Sequence, residues 1–174
     1  MRMTLIVGGA ASGKSAYAEA LILRSDAPRR IYLATMEPYG AETAERIARH
    51  RALRRGKGFE TMERFTGLES VEVPPDSAVL LEDVGNLCAN ELFSPHGAGE
   101  DAAEAILRGA ARLRERCREL VVVSNEVFTG GNHAGDTLRY LSVLACVNRR
   151  LAATADAVAE VNCGLPTYCK GEEI

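Results

Sequence analysis

The stretch Met3-Thr4-Leu5-Ile6-Val7-Gly8-Gly9-Ala10-Ala11-Ser12-Gly13-Lys14-Ser15 runs from an apolar, β-branched segment directly into glycines. It continues into a segment with Ala18, Leu21 and Ile22 at helical spacing, so the chain opens as strand, glycine loop, helix. Gly8 to Ser15 fits the pattern G-x-x-x-x-G-K-[ST] at every required position, and each residue type has a physical task there. Gly8 and Gly13 let the backbone of Gly9, Ala10, Ala11 and Ser12 wrap so that its N–H groups face phosphate oxygens. The helix that begins near Lys14 adds its positive end. Lys14 supplies a point charge for the β and γ phosphates, and the Ser15 hydroxyl is placed to ligate Mg2+. These eight residues are the candidate nucleotide cradle, and Lys14 is also a candidate catalytic group.

Outward from the loop, short apolar runs alternate with helical stretches. Arg30–Thr35, Ala78–Leu81, Leu120–Ser124 and Ala157–Val161 read as strands, the third of these being a continuous apolar run of the kind buried on both faces of a parallel sheet. Ala41–Leu53, Asp101–Cys117 and Asp136–Ala155 read as helices; in the first, Ile47 and Leu53 point inward and the arginines outward. The pattern predicts an α/β protein: a P-loop three-layer fold, mainly parallel sheet with right-handed crossovers and helices on both faces. Glu82, at the end of the Ala78–Leu81 strand, suits the acidic residue that holds the Mg2+ shell beside such a loop, and Asp83 competes for the role.

Residues 1–174 are of a length for one domain. No run approaches the ~18 apolar residues that span a bilayer, and no signal-peptide pattern is visible, so a cytoplasmic protein is expected. The net charge of -3, from 21 basic and 24 acidic residues, argues against a nucleic-acid coat. Five cysteines without a Cys-x-x-Cys pair suggest neither disulfide framework nor zinc knuckle and read as small reduced core residues.

Eighteen of the basic residues are Arg, and Arg46, Arg49, Arg51, Arg54 and Arg55 gather around His50. Guanidinium groups so placed neutralise a polyphosphate and lower the pKa of a neighbouring imidazole, which keeps it nucleophilic. His96 and His133 lie in glycine-bearing loops and read as polar loop residues. Asn125 and Glu126 end a strand at the same sheet edge as the glycine loop.

Several motifs together resemble a known family. The cradle Gly8–Ser15, Tyr32-Leu33-Ala34-Thr35, Arg46-Ile47-x-x-His50-Arg51, Leu80-Leu81-Glu82, Asn90-Glu91-Leu92-Phe93, Ser124-Asn125-Glu126-Val127 and Val147–Ala153 with Ala155-Asp156 look like the bifunctional adenosylcobinamide kinase/adenosylcobinamide-phosphate guanylyltransferases of cobalamin biosynthesis. The resemblance implies a recombinase-like P-loop fold and two reactions: phosphorylation of adenosylcobinamide by ATP or GTP, then transfer of GMP from GTP, through a guanylylated histidine, to adenosylcobinamide phosphate. The guanylylated histidine falls on His50. Imidazole forms a phosphoramidate without a preceding general base, and the covalent step splits one hard transfer into two. Leu33, Ala34 and Thr35, the segment Arg51, Ala52, Leu53 and Arg54, and Glu63 and Glu82 would border the nucleotide, with Ser15 and Glu82 on the metal.

The family also implies a homotrimer with the corrinoid between subunits. Two segments depart from its usual pattern. Arg54-Arg55-Gly56-Lys57-Gly58-Phe59 lacks the customary Pro and Trp and is one residue longer, and Phe128-Thr129-Gly130-Gly131-Asn132-His133 replaces a Gly-x-Gly-Ile-Val-Pro segment. Two alternatives remain at this stage: a P-loop kinase that acts on a small molecule with His50 idle, and a nucleotide-dependent switch protein.

Overall fold

A computed structural model describes residues 1–38, 45, 47–49, 51–52, 55–128 and 133–172. Period-two alternation sorts the strands into two core faces. Leu5, Ile31, Leu33, Val79, Leu81, Leu120 and Val122 point to one side, and Ile6, Tyr32, Ala78, Leu80, Val121 and Val123 to the other. Both sets are buried, because helices cover both faces. Helix α1 (Lys14–Arg24) covers the second face through Ala18, Leu21 and Ile22. Helices α2 (Val84–Phe93), α3 (Ala102–Arg116) and α4 (Gly135–Thr154) cover the first, through Leu87, Ile106, Leu113, Val147 and Leu151 among others. The protein is thus an α/β three-layer fold.

Among the described residues the sheet has seven strands: β1 (Arg2–Gly8), β2 (Arg29–Ala34), β3 (Phe59–Glu63), β4 (Ser77–Glu82), β5 (Glu119–Asn125), β6 (Ala157–Asn162) and β7 (Leu165–Lys170). Their order is β3-β2-β4-β5-β1-β6-β7, and every pair is parallel except β6–β7. β4 is buried along its whole length and β5 except at its two ends, as continuous apolar runs between two helical layers require.

Two strands and one α-helix among the described residues go beyond the sequence expectations. β3 is an edge strand in Phe59-Glu60-Thr61-Met62-Glu63, which has too few apolar residues to announce itself. α2 follows β4 immediately, with Asp83 as its N-cap; the Asp83 carboxylate accepts from Asn86 N at 2.7 Å. β7 contains Pro166, as an edge strand tolerates, and turns back from β6 through Cys163 and Gly164, both at positive φ. The cysteine expectation needs correction. Cys88 and Cys117 are buried, but Cys163 and Cys169 are exposed, because one sits in that turn and the other on the edge strand. Ala41–Leu53 is helical at the described positions 45, 47–49, 51 and 52, while its ends lie outside the described residues.

Candidate functional site

The glycine loop leaves β1 at its carboxyl end, and Gly13, at φ 92, turns the chain into α1. A side chain at Gly13 would be strained by that φ and would also meet Gly164 Cα at 2.9 Å, since the β6–β7 turn packs on the loop and Gly164 N donates to Ser12 O at 2.8 Å. Lys14 is buried, and its Nζ donates to Gly9 O at 3.1 Å, which holds the ammonium across the mouth of the loop. Tyr17 N donates to Gly13 O at 3.0 Å and starts the helical ladder.

Two strands from β1, at the end of β4, Glu82 accepts a short hydrogen bond from the Ser15 hydroxyl. Its second oxygen, Oε2, is buried and has no hydrogen-bond partner. Burial pushes the Glu82 carboxyl up to about 7; the bond from Ser15 opposes this, the charges of Asp83 and Glu19 add to it, and Lys14 counters it. Ser15 and Glu82 therefore face each other as an oxygen pair with one unsatisfied acceptor, a donor set that suits a hard divalent cation. Asp83, the competitor, is occupied differently: both its oxygens accept from Asn86, so it caps α2.

The sheet register lines up further residues. Glu82 is paired with Ala34 across β4–β2, and Ala34 with Glu63 across β2–β3. At ~4.8 Å per strand, Glu63 lies roughly 10 Å from Glu82 along the sheet edge. A cleft of about 520 Å3 joins these positions; Ala10, Ala11, Lys14 and Ser15 line it on the loop side, and Arg49, Arg51 and Glu63 on the opposite side. Arg51 pairs with Glu63. The wall toward α2 and β5 is polar, with Asp83, Asn86 and Asn125, and Val127 beside them. Gly85 makes that wall possible: a Cβ there would lie 2.3 Å from the Asn125 amide nitrogen.

Alternation explains which of Leu33, Ala34 and Thr35 reach the cleft. Tyr32 and Ala34 line it, whereas Leu33 points into the opposite core. Thr35 is fully buried, and its hydroxyl donates to Asp83 O at 2.7 Å while accepting from Asp83 N at 2.8 Å. Gly8, Gly9, Ser12 and Gly13 shape the loop without lining the cleft, and Ala52 is exposed. Arg46, His50, Leu53 and Arg54 lie outside the described residues. Asn90 and Glu91 hold the scaffold instead. The Asn90 amide donates to Thr35 O at 2.8 Å, and the buried Glu91 carboxylate accepts from Gly67 N at 2.7 Å and Ala98 N at 2.9 Å. Glu126 N donates to Gly8 O at 3.0 Å, tying β5 to the loop. His96 and His133 are exposed and do not line the cleft.

Sequence reasoning missed Tyr32, Met36, Ile47, Asn86 and Val127 as lining residues. The parity of β2 signals Tyr32, and Asp83-x-x-Asn86 is a helix-start signature that signals Asn86.

A glycine loop between strand and helix, with lysine and serine at its end and a buried glutamate on a nearby strand, places this chain in the P-loop class of α/β folds. Residues 4–169 match the family model described as cobinamide kinase / cobinamide phosphate guanyltransferase, and the chain belongs to that family. It is 35% identical to the bifunctional adenosylcobalamin biosynthesis protein CobU of Salmonella typhimurium over 182 residues, covering 97% of this chain and 99% of that one. It is likewise 35% identical to the CobU of Escherichia coli over 183 residues, with 97% and 99% coverage. With the bifunctional protein CobP of Pseudomonas aeruginosa the identity is 31% over 175 residues, with 98% of each covered.

Proposed function

We propose that this chain, as one domain, catalyses both family reactions at the cleft. In the first, the hydroxyl oxygen of the aminopropanol arm of adenosylcobinamide attacks the γ-phosphorus of ATP or GTP. The new O–Pγ bond replaces the Pγ–O bond to the β-phosphate, the hydroxyl proton is lost and a nucleoside diphosphate leaves. In the second, an imidazole nitrogen of His50 attacks the α-phosphorus of GTP, and a P–N bond forms as pyrophosphate departs. A phosphate oxygen of adenosylcobinamide phosphate then attacks the same phosphorus, breaks the P–N bond and yields adenosylcobinamide-GDP.

One observation carries this reading: Arg49 and Arg51, which flank His50 in the chain, line the same cleft as Lys14 and Ser15. A triphosphate in the loop would lie between cations on both sides, with Lys14 exchanging Gly9 O for phosphate oxygens and the arginines neutralising charge near the α-phosphate. Glu63, across the cleft, is a carboxylate suited to the donor edge of guanine, as the resemblance implies. Residues Gly8 to Ser15, Ala34, Arg51 to Arg54, Glu63 and Glu82 make up the proposed nucleotide site. Ser15 and the unpartnered oxygen of Glu82 would hold Mg2+, which, when bound, offsets charge on the triphosphate oxygens. A cytoplasmic homotrimer belongs to the same proposal; among the described residues no helix is long and apolar enough to cross a membrane.

Incubation with α-labelled GTP tests the reading. The expected result is acid-labile, alkali-stable label on the protein that is absent in His50→Ala, together with γ-phosphoryl transfer to adenosylcobinamide. Phosphorylation without any protein label would reduce the function to that of a kinase.

A further inference from the structure

We propose that Lys57, in the segment that departs from the family pattern, is a positioning residue for guanylyl transfer. Its ion pair with the buried Glu19 fixes the arginine-bearing wall of the cleft against the phosphate-loop helix. This inference rests on the two-reaction function proposed above.

Glu19 lies four residues after Ser15, on the same face of α1, and its side chain is only 9% exposed. Its charge reaches Glu82, so it stands close behind the phosphate and cation site. Its cation comes from a different part of the chain. Arg55 N donates to Ala52 O at 3.2 Å and carries the helix with Arg49 and Arg51 into a turn, where Lys57 sits between Gly56 at φ 83 and Gly58 at φ 73. Two glycines in left-handed backbone, with only Lys57 between them, reverse the chain and bring the lysine onto α1. The Lys57 ammonium bonds Glu19 Oε2.

The described part of this wall is also tied to the body by Arg51 with Glu63, whose side chains are 57% and 43% exposed. An exposed pair of that kind contributes little. Glu19 differs, because a buried carboxylate stripped of its cation is costly to keep. Lys57 is therefore the stronger of these two anchors, and it joins the wall to the helix that carries Lys14 and Ser15. Phosphorylation takes place at the γ-phosphate, next to Lys14 and Ser15, whereas guanylyl transfer takes place at the α-phosphate beside the arginines and so depends more strongly on the register of the wall with the loop. Losing the anchor should slow the second reaction selectively.

The test compares wild type, Lys57→Ala, Lys57→Arg and Glu19→Gln in the full chain. Three quantities are read: the rate of protein labelling by α-labelled GTP, the rate of adenosylcobinamide phosphorylation with ATP, and the melting temperature. Lys57→Ala is expected to lower the labelling kcat/KM on the order of 10- to 100-fold, the scale of a misplacement of about 1 Å, with phosphorylation changed by less than about twofold; Glu19→Gln, which also removes a charge felt by Glu82, should lower labelling by a larger factor than it lowers phosphorylation. Lys57→Arg should retain the wild-type ratio. A general loss of stability would lower both rates together, so the ratio of labelling to phosphorylation separates positioning from structure. An unchanged ratio in folded Lys57→Ala and Glu19→Gln overturns the inference. Where the single variants do not fold, the double variant Glu19→Gln/Lys57→Met removes both charges, and its ratio decides in the same way. A wild-type protein that takes no label overturns the two-reaction reading, and this inference with it.

Discussion

Replacing Glu82 by glutamine should change how stability depends on pH, and the size of the change follows from burial. The carboxyl is pushed from 4.5 up to about 7 in the folded protein, chiefly because its charged form would be buried. Between those values the folded protein holds a proton that the unfolded chain has released, so stability falls as pH rises through this window. The loss amounts to about 3 kcal/mol; it is absent below about pH 4.5 and complete above pH 7. Glutamine at 82 keeps the acceptor for Ser15 and has no charge to bury. The variant should therefore match wild type near pH 4.5 and exceed it by about 3 kcal/mol above pH 7, or roughly 6–12 °C in Tm for a chain of this size.

Urea unfolding of the nucleotide-free, chelator-treated protein at a series of pH values measures this directly. Glu60, Glu72, Glu104 and Asp156 are held low, the first three chiefly by hydrogen bonds from arginines and Asp156 chiefly by its bond from Met3 N, and they tilt stability the opposite way. They are common to both proteins and cancel in the difference. Two curves that run parallel from pH 4.5 to 8 would refute the account of Glu82 as a destabilising buried acid kept for its role in binding.

Lys14→Ala should leave the circular dichroism spectrum intact and lower phosphorylation on the order of 10²- to 10³-fold, as loss of one charge-stabilising donor does. Gly13→Ala should lower triphosphate affinity, measured by calorimetry, because left-handed backbone costs about 1–2 kcal/mol and the new methyl meets Gly164 Cα at 2.9 Å. Glu91→Ala should lower stability in urea by about 3 kcal/mol or more, since the Gly67 and Ala98 N–H groups lose their acceptor.

The elements legible in the sequence are those whose burial leaves a periodic trace. β1, β2, β4, β5 and β6 carry apolar runs, and α1, α3 and α4 carry apolar stripes, so their extents fall within about two residues of expectation. The phosphate loop was legible because its glycines and Lys14 follow from backbone and charge requirements alone. β3 and β7 were not, because an edge strand buries one side at most and needs no apolar alternation. α2 is hidden by its cap, since Asp83 reads as the competitor of Glu82 for the metal while its carboxylate is committed to Asn86.

The candidate site divides along the same line. Its loop half is encoded locally; its arginine half shows in the sequence as a cluster around His50, but not as a wall that faces the loop. Arg49 and Arg51 sit on an exposed helix face, and exposure to a hydrated cleft leaves the same pattern in a sequence as exposure to bulk water. What turns that face into a wall is a pair of side-chain contacts, Arg51 with Glu63 and Lys57 with Glu19. Neither spacing has a periodicity, and each partner alone is an ordinary charged residue. Only the fold, by placing β3 beside β2 and the Gly56-Lys57-Gly58 turn over α1, brings those charges into contact. The phosphate loop can therefore stay as the strand–helix junction dictates, while the arginine wall can be re-registered by changes as small as those that separate residues 55–59 from the family pattern.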